Sequence, residues 1–244
     1  MTRLRILTYN VHGLPWIRCP MQSIFVWMKF QTNADVICLQ EVFAKGLQTD
    51  IEHCADKYGW VCYFADSLPC WGKSILRFHS PSGLCILVKS SITVRKPPVF
   101  TPFVCSGGVD ALVTKGIFAL EIQVDQKKID IVNTHFQSDF TEFPCCRISY
   151  PEVRQHQEQQ LAAFVRYLRF PVICGDFNQE QFTFFSSLDS EKHITFPQTG
   201  EHLDHLLVLN VKPNPFHNPK ITYFDSVLLS DHIPILFEFD IADI

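Results

Sequence analysis

Apolar and polar positions alternate along this chain in two rhythms. Short apolar runs bounded by turn-formers predict strands at Leu4–Thr8, Val36–Leu39, Val61–Phe64, Leu84–Lys89, Gly116–Val124, Ile129–Asn133, Val172–Cys174, Leu206–Leu209, Tyr223–Val227 and Pro234–Phe239. Helical spacing predicts Met21–Phe30, Leu47–Tyr58, Glu152–Leu168 and Gln181–Leu188. The third is the clearest, with Val153, His156, Gln160–Leu161, Phe164–Val165 and Leu168 on one face and Pro151 where a first-turn proline is tolerated. Strands outnumber helices too heavily for a simple doubly wound sheet. The pattern predicts an α/β fold with two sheets packed face to face and helices outside. A strand–helix–strand opening at 4–39 is loosely echoed at 129–174.

Composition narrows the class. With 244 residues, 47% hydrophobic and 19% charged, the chain buries a substantial core, and no linker divides it, so 1–244 reads as a single domain. Phe alone contributes 22 residues, which predicts a Phe-packed interior. A net charge of −4 gives no general pull on nucleic acid and leaves room only for a local basic patch. The ten cysteines include no CxxC pair, so a zinc ribbon is disfavoured, and Cys38, Cys85 and Cys174 sit inside apolar runs as small core residues. The vicinal Cys145-Cys146 pair reads as plain structure rather than redox chemistry. Met1–Arg5 leads into strand-like alternation rather than a signal-peptide core, and no apolar run approaches about 18 residues. Reduced cysteines and a cytoplasmic location are the expectation.

Several strands end in residues that a core rejects. Leu4–Tyr9 ends in Asn10, then Val11-His12-Gly13; Val36–Leu39 in Gln40-Glu41; Ile129–Asn133 in Thr134-His135; Val172–Cys174 in Gly175-Asp176-Phe177-Asn178. Leu203-Asp204-His205 opens another run, and Ser230-Asp231-His232 precedes the last. Any one of these reads as a turn starter or helix cap. Together they place acid, amide and imidazole at converging strand ends, where α/β scaffolds build sites. Hard oxygen ligands in small number, Glu41 with Asn10 and Asp231, suit Mg²⁺, with Mn²⁺ the alternative. Two histidines beside carboxylates suit acid–base work, one activating water and one protonating a leaving oxygen. An amide such as Asn178 can donate to a phosphate oxygen as its charge grows. The set describes phosphate-ester hydrolysis better than acyl transfer, and neither a Gly-x-Ser-x-Gly elbow nor a Walker loop occurs.

Thr8-Tyr9-Asn10-Val11-His12-Gly13, Leu39-Gln40-Glu41, Gly175-Asp176-Phe177-Asn178, His202-Leu203-Asp204-His205 and Ser230-Asp231-His232-Ile233-Pro234 resemble, in order, the signature motifs of the endonuclease/exonuclease/phosphatase superfamily. Within it, Ser82–Lys89, Asp110–Gly116 and Asn133–Asp139 are most similar to segments of neutral and bacterial sphingomyelinases. His135 also argues against the abasic-site endonuclease branch, which usually carries tyrosine there. The resemblance implies a four-layer α/β sandwich of two mixed β-sheets. It also implies metal binding by Glu41 supported by Asn10, with Asp231 nearby. His232 becomes the general base, Asp204 its orienting carboxylate and His135 the leaving-group acid. Asp176 and Asn178 position phosphate and water, and Asn178 and Lys115 contact the substrate phosphate.

There are departures. His205 stands where the family usually has Tyr, and His12 where many nucleases have Asp; filling space is the expectation for His12, contact with a metal ligand the alternative. Residues 69–79, with Trp71, Lys73, Arg77 and Phe78, form either a substitute for the family's membrane-dipping hairpin or a plain solvated loop. The expected protein is a monomeric, Mg²⁺-dependent phosphodiesterase acting on a phospholipid at a membrane surface. Its rivals are a nuclease or phosphomonoesterase acting on nucleotides or inositol phosphates, and a non-catalytic binding module of the same fold.

Overall fold

A computed structural model describes residues 2–14, 19–67, 81–139, 149–182, 193–196, 203–209, 215–224 and 229–242, with residues 193–196 and 209 described by backbone alone. The strands are β1 (Thr2–Asn10), β2 (Val36–Gln40), β3 (Trp60–Phe64), β4 (Cys85–Lys89), β5 (Thr93–Val94), β6 (Val99–Pro102), β7 (Gly116–Val124), β8 (Lys127–His135), β9 (Pro171–Asp176), β10 (His193–Phe196), β11 (Asp204–Leu209), β12 (Phe216–Tyr223) and β13 (Ile235–Ile241). The helices are α1 (Met21–Trp27), α2 (Lys45–Tyr58) and α3 (Tyr150–Val165). One sheet runs β12-β13-β1-β2-β4-β3. The other runs β10-β11-β9-β8-β7-β5, with β6 also paired to β7. Both are mixed: β1–β2 and β8–β9 are parallel, each pair joined through a helix, and the other pairs are antiparallel. The weak internal echo in the sequence is therefore a repeated strand–helix–strand crossover.

Side-chain period two sorts each strand between layers. Leu4, Ile6, Val36, Cys38, Ile86 and Val88 of the first sheet meet Phe118, Leu120, Ile129, Ile131, Val172 and Cys174 of the second. The alternate residues face outward. Leu7, Tyr9, Ile37 and Leu39 pack under α1 and α2, while Ile117, Val132 and Ile173 pack under α3. This is the four-layer sandwich. Phe supplies much of the third layer: Phe103, Phe136, Phe177 and Phe182 pack ring against ring at 4.8–5.3 Å.

The differences from the expected elements have local causes. The α-helix begun at Met21 gives way to a π-helical turn over Met28–Thr32, closed by Asn33 at φ 46°. Helix α3 starts with the Ser149/Glu152 capping box and ends three residues before the expected Leu168. The strand expected at Tyr223–Val227 is instead β12, which finishes at Tyr223; residues 225–228 lie outside the described residues. β12 is hidden in the sequence because its register shifts between His217 and Lys220, around Asn218 at φ 48° and Pro219, as only an edge strand tolerates. Short β5, β6 and β10 give too few residues for a pattern. Residues 183–188 of the expected fourth helix, the 69–79 loop and Cys145-Cys146 lie outside the described residues, whereas Cys38, Cys85 and Cys174 are buried and free as expected. Among the described residues no helix is long and apolar enough to cross a membrane.

The inter-sheet core ends in a polar seam. Gln40 donates to Asn133 Oδ1 at 2.8 Å and to Thr8 Oγ1 at 3.2 Å, and Asn133 donates to the carbonyls of Leu39 and Cys85 at 2.9 and 3.0 Å. This fully buried amide pair ties the sheets together directly beneath the polar strand ends. Asn133→Leu removes the shortest acceptor of the buried Gln40 amide and the donor that two buried carbonyls share, which costs about 3 kcal/mol. Urea unfolding should show that loss, and the Gln40→Leu/Asn133→Leu double variant should lose clearly less than the sum of the singles.

Candidate active site

Register sets the site. Parallel pairing places Asn10 beside Gln40 and His135 beside Asp176, and antiparallel pairing places Asp204 opposite Asp176. On each strand these residues continue the inward-facing series by one or two steps past the last apolar residue. The same period that builds the core therefore aims them between the sheets. Beyond the strand ends the chain must turn at once. His12, Glu41 and Asn178 take φ of 49°, 61° and 49°, a region that costs little for Asn and more for Glu. Gly175, at φ 150°, has no room for a side chain, because a Cβ there would overlap the Thr134 carbonyl of the neighbouring strand.

The side chains converge on Asn10. Its amide donates to Glu41 Oε1 at 3.1 Å and Asp176 Oδ2 at 3.0 Å and lies 3.3 Å from His232 Nε2, while its Oδ1 accepts from the His12 backbone. His232 Nδ1 is 2.6 Å from Asp204 Oδ2, and its Nε2 is 3.7 Å from Asp176. His135 Nε2 lies 3.5 Å from Asp176 and 4.0 Å from Glu41. Ser230 Oγ donates to the Asn10 carbonyl at 2.7 Å and accepts from His232 N, which pins the last loop to β1.

The two histidines are driven in opposite directions. Burial draws the His232 pKa down, but the hydrogen bond to Asp204 and the charges of Asp204, Asp176 and Asp231 outweigh it and raise it to about 10. His135 is held well below its ordinary value by burial first, then by Lys115 and His232. Lys115 Nζ sits 3.1 Å from His135 Nε2, and an ammonium can only donate, so that nitrogen accepts and the imidazole is neutral with its proton on Nδ1. Burial, then the Asp204 charge, push the Asp176 carboxyl up to about 7.

Other expected site residues have different surroundings. Lys115 is buried, and its ammonium also pairs with Asp110 at 2.8 Å and donates to the Phe136 carbonyl, so its donors are spent within the protein rather than on a phosphate. Asn178 donates from its amide to the same carbonyl at 3.1 Å and from its backbone to Asp176 Oδ1 at 2.9 Å. Asp231 is 58% exposed on the rim and lies 3.1 Å from His12 Nδ1. His12 therefore does not fill space; its left-handed backbone turns it out to the acid that was expected to bind metal. His205 is buried against Phe177 and Phe182, and its Nε2 donates to the Gln179 carbonyl at 2.7 Å, a structural role that a tyrosine ring could also fill. Asp110, which secures Lys115, was not singled out from the sequence; its place five residues before Lys115 was the available signal.

Among the described residues two groups could hold a cation: Glu41, His135 and Asp176, and Asp176, Asp204 and His232, with ligand atoms in each group within 4.8 Å of one another. Asp231 belongs to neither. Glu41 Oε2 and Asp204 Oδ1 are buried without a hydrogen-bond partner, an expense that a hard cation removes, so the oxygen-rich set fits Mg²⁺. Beside Asn178 a cleft of about 600 Å³ opens, lined by Asp139, Glu152, Arg154, Glu158, Glu180 and Leu203 among others.

Residues 7–232 match the endonuclease/exonuclease/phosphatase family, and the chain belongs to it. Members of that family are usually hydrolases acting on phosphoesters. The fold is shared with sphingomyelinase C from Streptomyces griseocarneus (19% identity, TM-score 0.68, covering 98% of this chain and 99% of that one). It is shared with a beta toxin mutant from Staphylococcus aureus with bound magnesium ions (18%, 0.63, 98% and 100%). It is shared as well with D. rerio TDP2 complexed with a single-strand DNA product (12%, 0.67, 98% and 100%). At these identities the likeness is one of fold. No curated protein matches the sequence significantly.

Because the folded pKa of His232 lies near 10, above the ordinary 6.5, its pairing stabilises the metal-free protein fully below pH 6.5 and is lost as pH rises through 10. The stability gap between wild type and Asp204→Asn, measured by denaturation in chelator, should be widest below pH 6.5 and close toward pH 10.

Proposed function

We propose that the protein is a Mg²⁺-dependent phosphodiesterase with a sphingomyelinase-like site, hydrolysing a phospholipid headgroup ester as a reduced, cytoplasmic monomer at a membrane surface. The carrying observation is the His232–Asp204 pair at 2.6 Å, whose second ring nitrogen faces Asn10 and Asp176 beside Glu41. An imidazole oriented by a carboxylate and aimed at a cluster of acids and an amide is equipped to take a proton from water once a cation among those acids has displaced its own proton. Glu41 and Asp176, with Asn10 beside them, would hold the cation. When bound, Mg²⁺ or Mn²⁺ supplies positive charge to the phosphoryl oxygens and favours hydroxide over water.

The rest of the chemistry falls to the chain. Asp204 fixes the His232 ring through Nδ1, leaving Nε2 as the base. Asn178 and Asp176 flank the place where phosphate and water meet. His135, neutral at rest and held through Nε2 by Lys115, is the group assigned to protonate the leaving oxygen, with a proton taken from solvent. Lys115 thus serves through His135 rather than by touching the phosphate. Asp231 orients His12 at the rim.

The cleft beside Asn178 supports a lipid headgroup over a polyanion. Among the described residues its lining acids Asp139, Glu152, Glu158 and Glu180 face one cation, Arg154, whose guanidinium is already paired with Asp139 at 2.7 Å. Such a surface repels a nucleic-acid backbone and accepts a cationic group such as choline. The nuclease reading keeps one specific support, the fold shared with a protein complexed with a DNA product.

His232→Ala and His135→Ala should each lower turnover on the order of 10²-fold or more with folding retained, and Glu41→Gln should raise the Mg²⁺ requirement and reduce turnover. Chelator should abolish activity reversibly. The panel that decides substrate offers a choline phospholipid, plasmid and abasic DNA, and inositol phosphates, each with Mg²⁺. Release of phosphocholine is expected; efficient DNA nicking with no lipid turnover would move the protein to the nuclease branch. Near-wild-type rates in both histidine variants would overturn the site itself.

A further inference from the structure

The 3₁₀ turn Gly108–Leu112, between β6 and β7, has two unlike sides. On the inner side the Asp110 carboxylate accepts from the backbone and hydroxyl of Ser138 at 2.7 and 3.0 Å and pairs with Lys115, which touches His135. Val109 and Leu112 are three positions apart, and in a 3₁₀ turn such residues lie one above the other, so they share the outer side. Val109 is 37% exposed, Leu112 73%, and Val104, earlier in the same loop, 83%.

The backbone displaying them is braced. Gln160 accepts from Val104 N at 3.0 Å, Gln157 donates to the Cys105 carbonyl at 2.9 Å, and Gln137 accepts from Gly107 N at 2.8 Å. A loop pinned at this many points holds its apolar side chains in water at a cost that burial elsewhere does not relieve. From Phe103 to Leu112 the only charged residue is Asp110, and it is turned inward onto Lys115. The outer side is apolar and uncharged.

We infer that this turn seats on a zwitterionic phospholipid bilayer, with Val104, Val109 and Leu112 entering the boundary between headgroups and acyl chains. The occupant follows from continuity with the catalytic centre. The same five-residue turn holds Lys115 against His135 and binds Ser138, the neighbour of Asp139 in the cleft wall, so whatever covers its outer side stands close to the cleft. A bilayer there covers the apolar residues and delivers substrate, whereas a folded partner would stand in the substrate's way. The missing charge selects a neutral surface over an anionic one. The inference rests on the phospholipid reading for its substrate, and the test separates the two.

In chelator, where nothing is hydrolysed, wild type should float with phosphatidylcholine vesicles at low and high salt alike. The Val109→Ser/Leu112→Ser variant should partition about tenfold more weakly. Its rate on a water-soluble phosphodiester with Mg²⁺ should match wild type, since neither side chain touches the reacting groups. Leu112→Trp should bind vesicles at least as well as wild type, with emission shifted to the blue. Absence of flotation, or flotation that the serine variant retains, overturns the inference. So does binding that needs anionic lipid and fades with salt, or a change of oligomeric state as the main effect of the substitutions. If the variant loses vesicles but wild type cleaves no phospholipid, the docking surface stands and the substrate reading falls. If vesicles are cleaved equally fast by both proteins, the docking surface falls and the substrate reading stands.

Discussion

The amide of Asn10 holds together groups that would otherwise repel. Glu41, Asp176 and Asp204 bring three carboxylates to one end of the inter-sheet core, and a single NH₂ group donates to two of them while facing His232. A neutral donor at that junction lets acids from both sheets approach without a permanent counter-ion between them. The protonated His232 supplies positive charge there, and Glu41 Oε2, buried without a hydrogen-bond partner, is where the proposed cation would supply more. Beneath it the Gln40–Asn133 pair fixes the spacing between sheets, and hence the distances on which the site depends.

The same physics separates the two histidines. Both lie near Asp176, yet one gains charge and the other loses it, because His135 is the more deeply buried and their second neighbours differ. His232 leans on Asp204, and His135 leans on Lys115. Acid–base pairs are commonly assembled by pushing like groups apart in this way. Here the push comes from two short segments: the Asp110–Lys115 turn, and the β11 start that carries Asp204. Neither belongs to the segment that bears its histidine.

Much of the architecture could be read from the sequence. Period-two alternation located most long strands to within a few residues, and helix α3 announced itself through its helically spaced apolar residues and Pro151. The polar residues ending apolar runs were visible for a physical reason: a core strand rarely buries Asn, His or Asp without partners, so their joint occurrence at strand ends pointed to a candidate site. What stayed illegible was short or irregular. β5 and β6 are too brief for a period to show, and β12 hides behind a bulge and Pro219 on a sheet edge.

The sequence by itself determined which residues lie at the strand ends and on which face, because side-chain alternation is a local property of the backbone. Only the tertiary structure decided which of them touch. Asp176, expected to position phosphate, stands beside Glu41, while Asp231, expected to bind metal, faces His12 on the rim. Lys115, expected to meet substrate, is spent on Asp110, His135 and a carbonyl. Those outcomes depend on the register between strands distant in sequence and on turns in the left-handed region at His12, Glu41 and Asn178. A one-residue change in either would send the same side chains to the opposite face, and no local pattern records it.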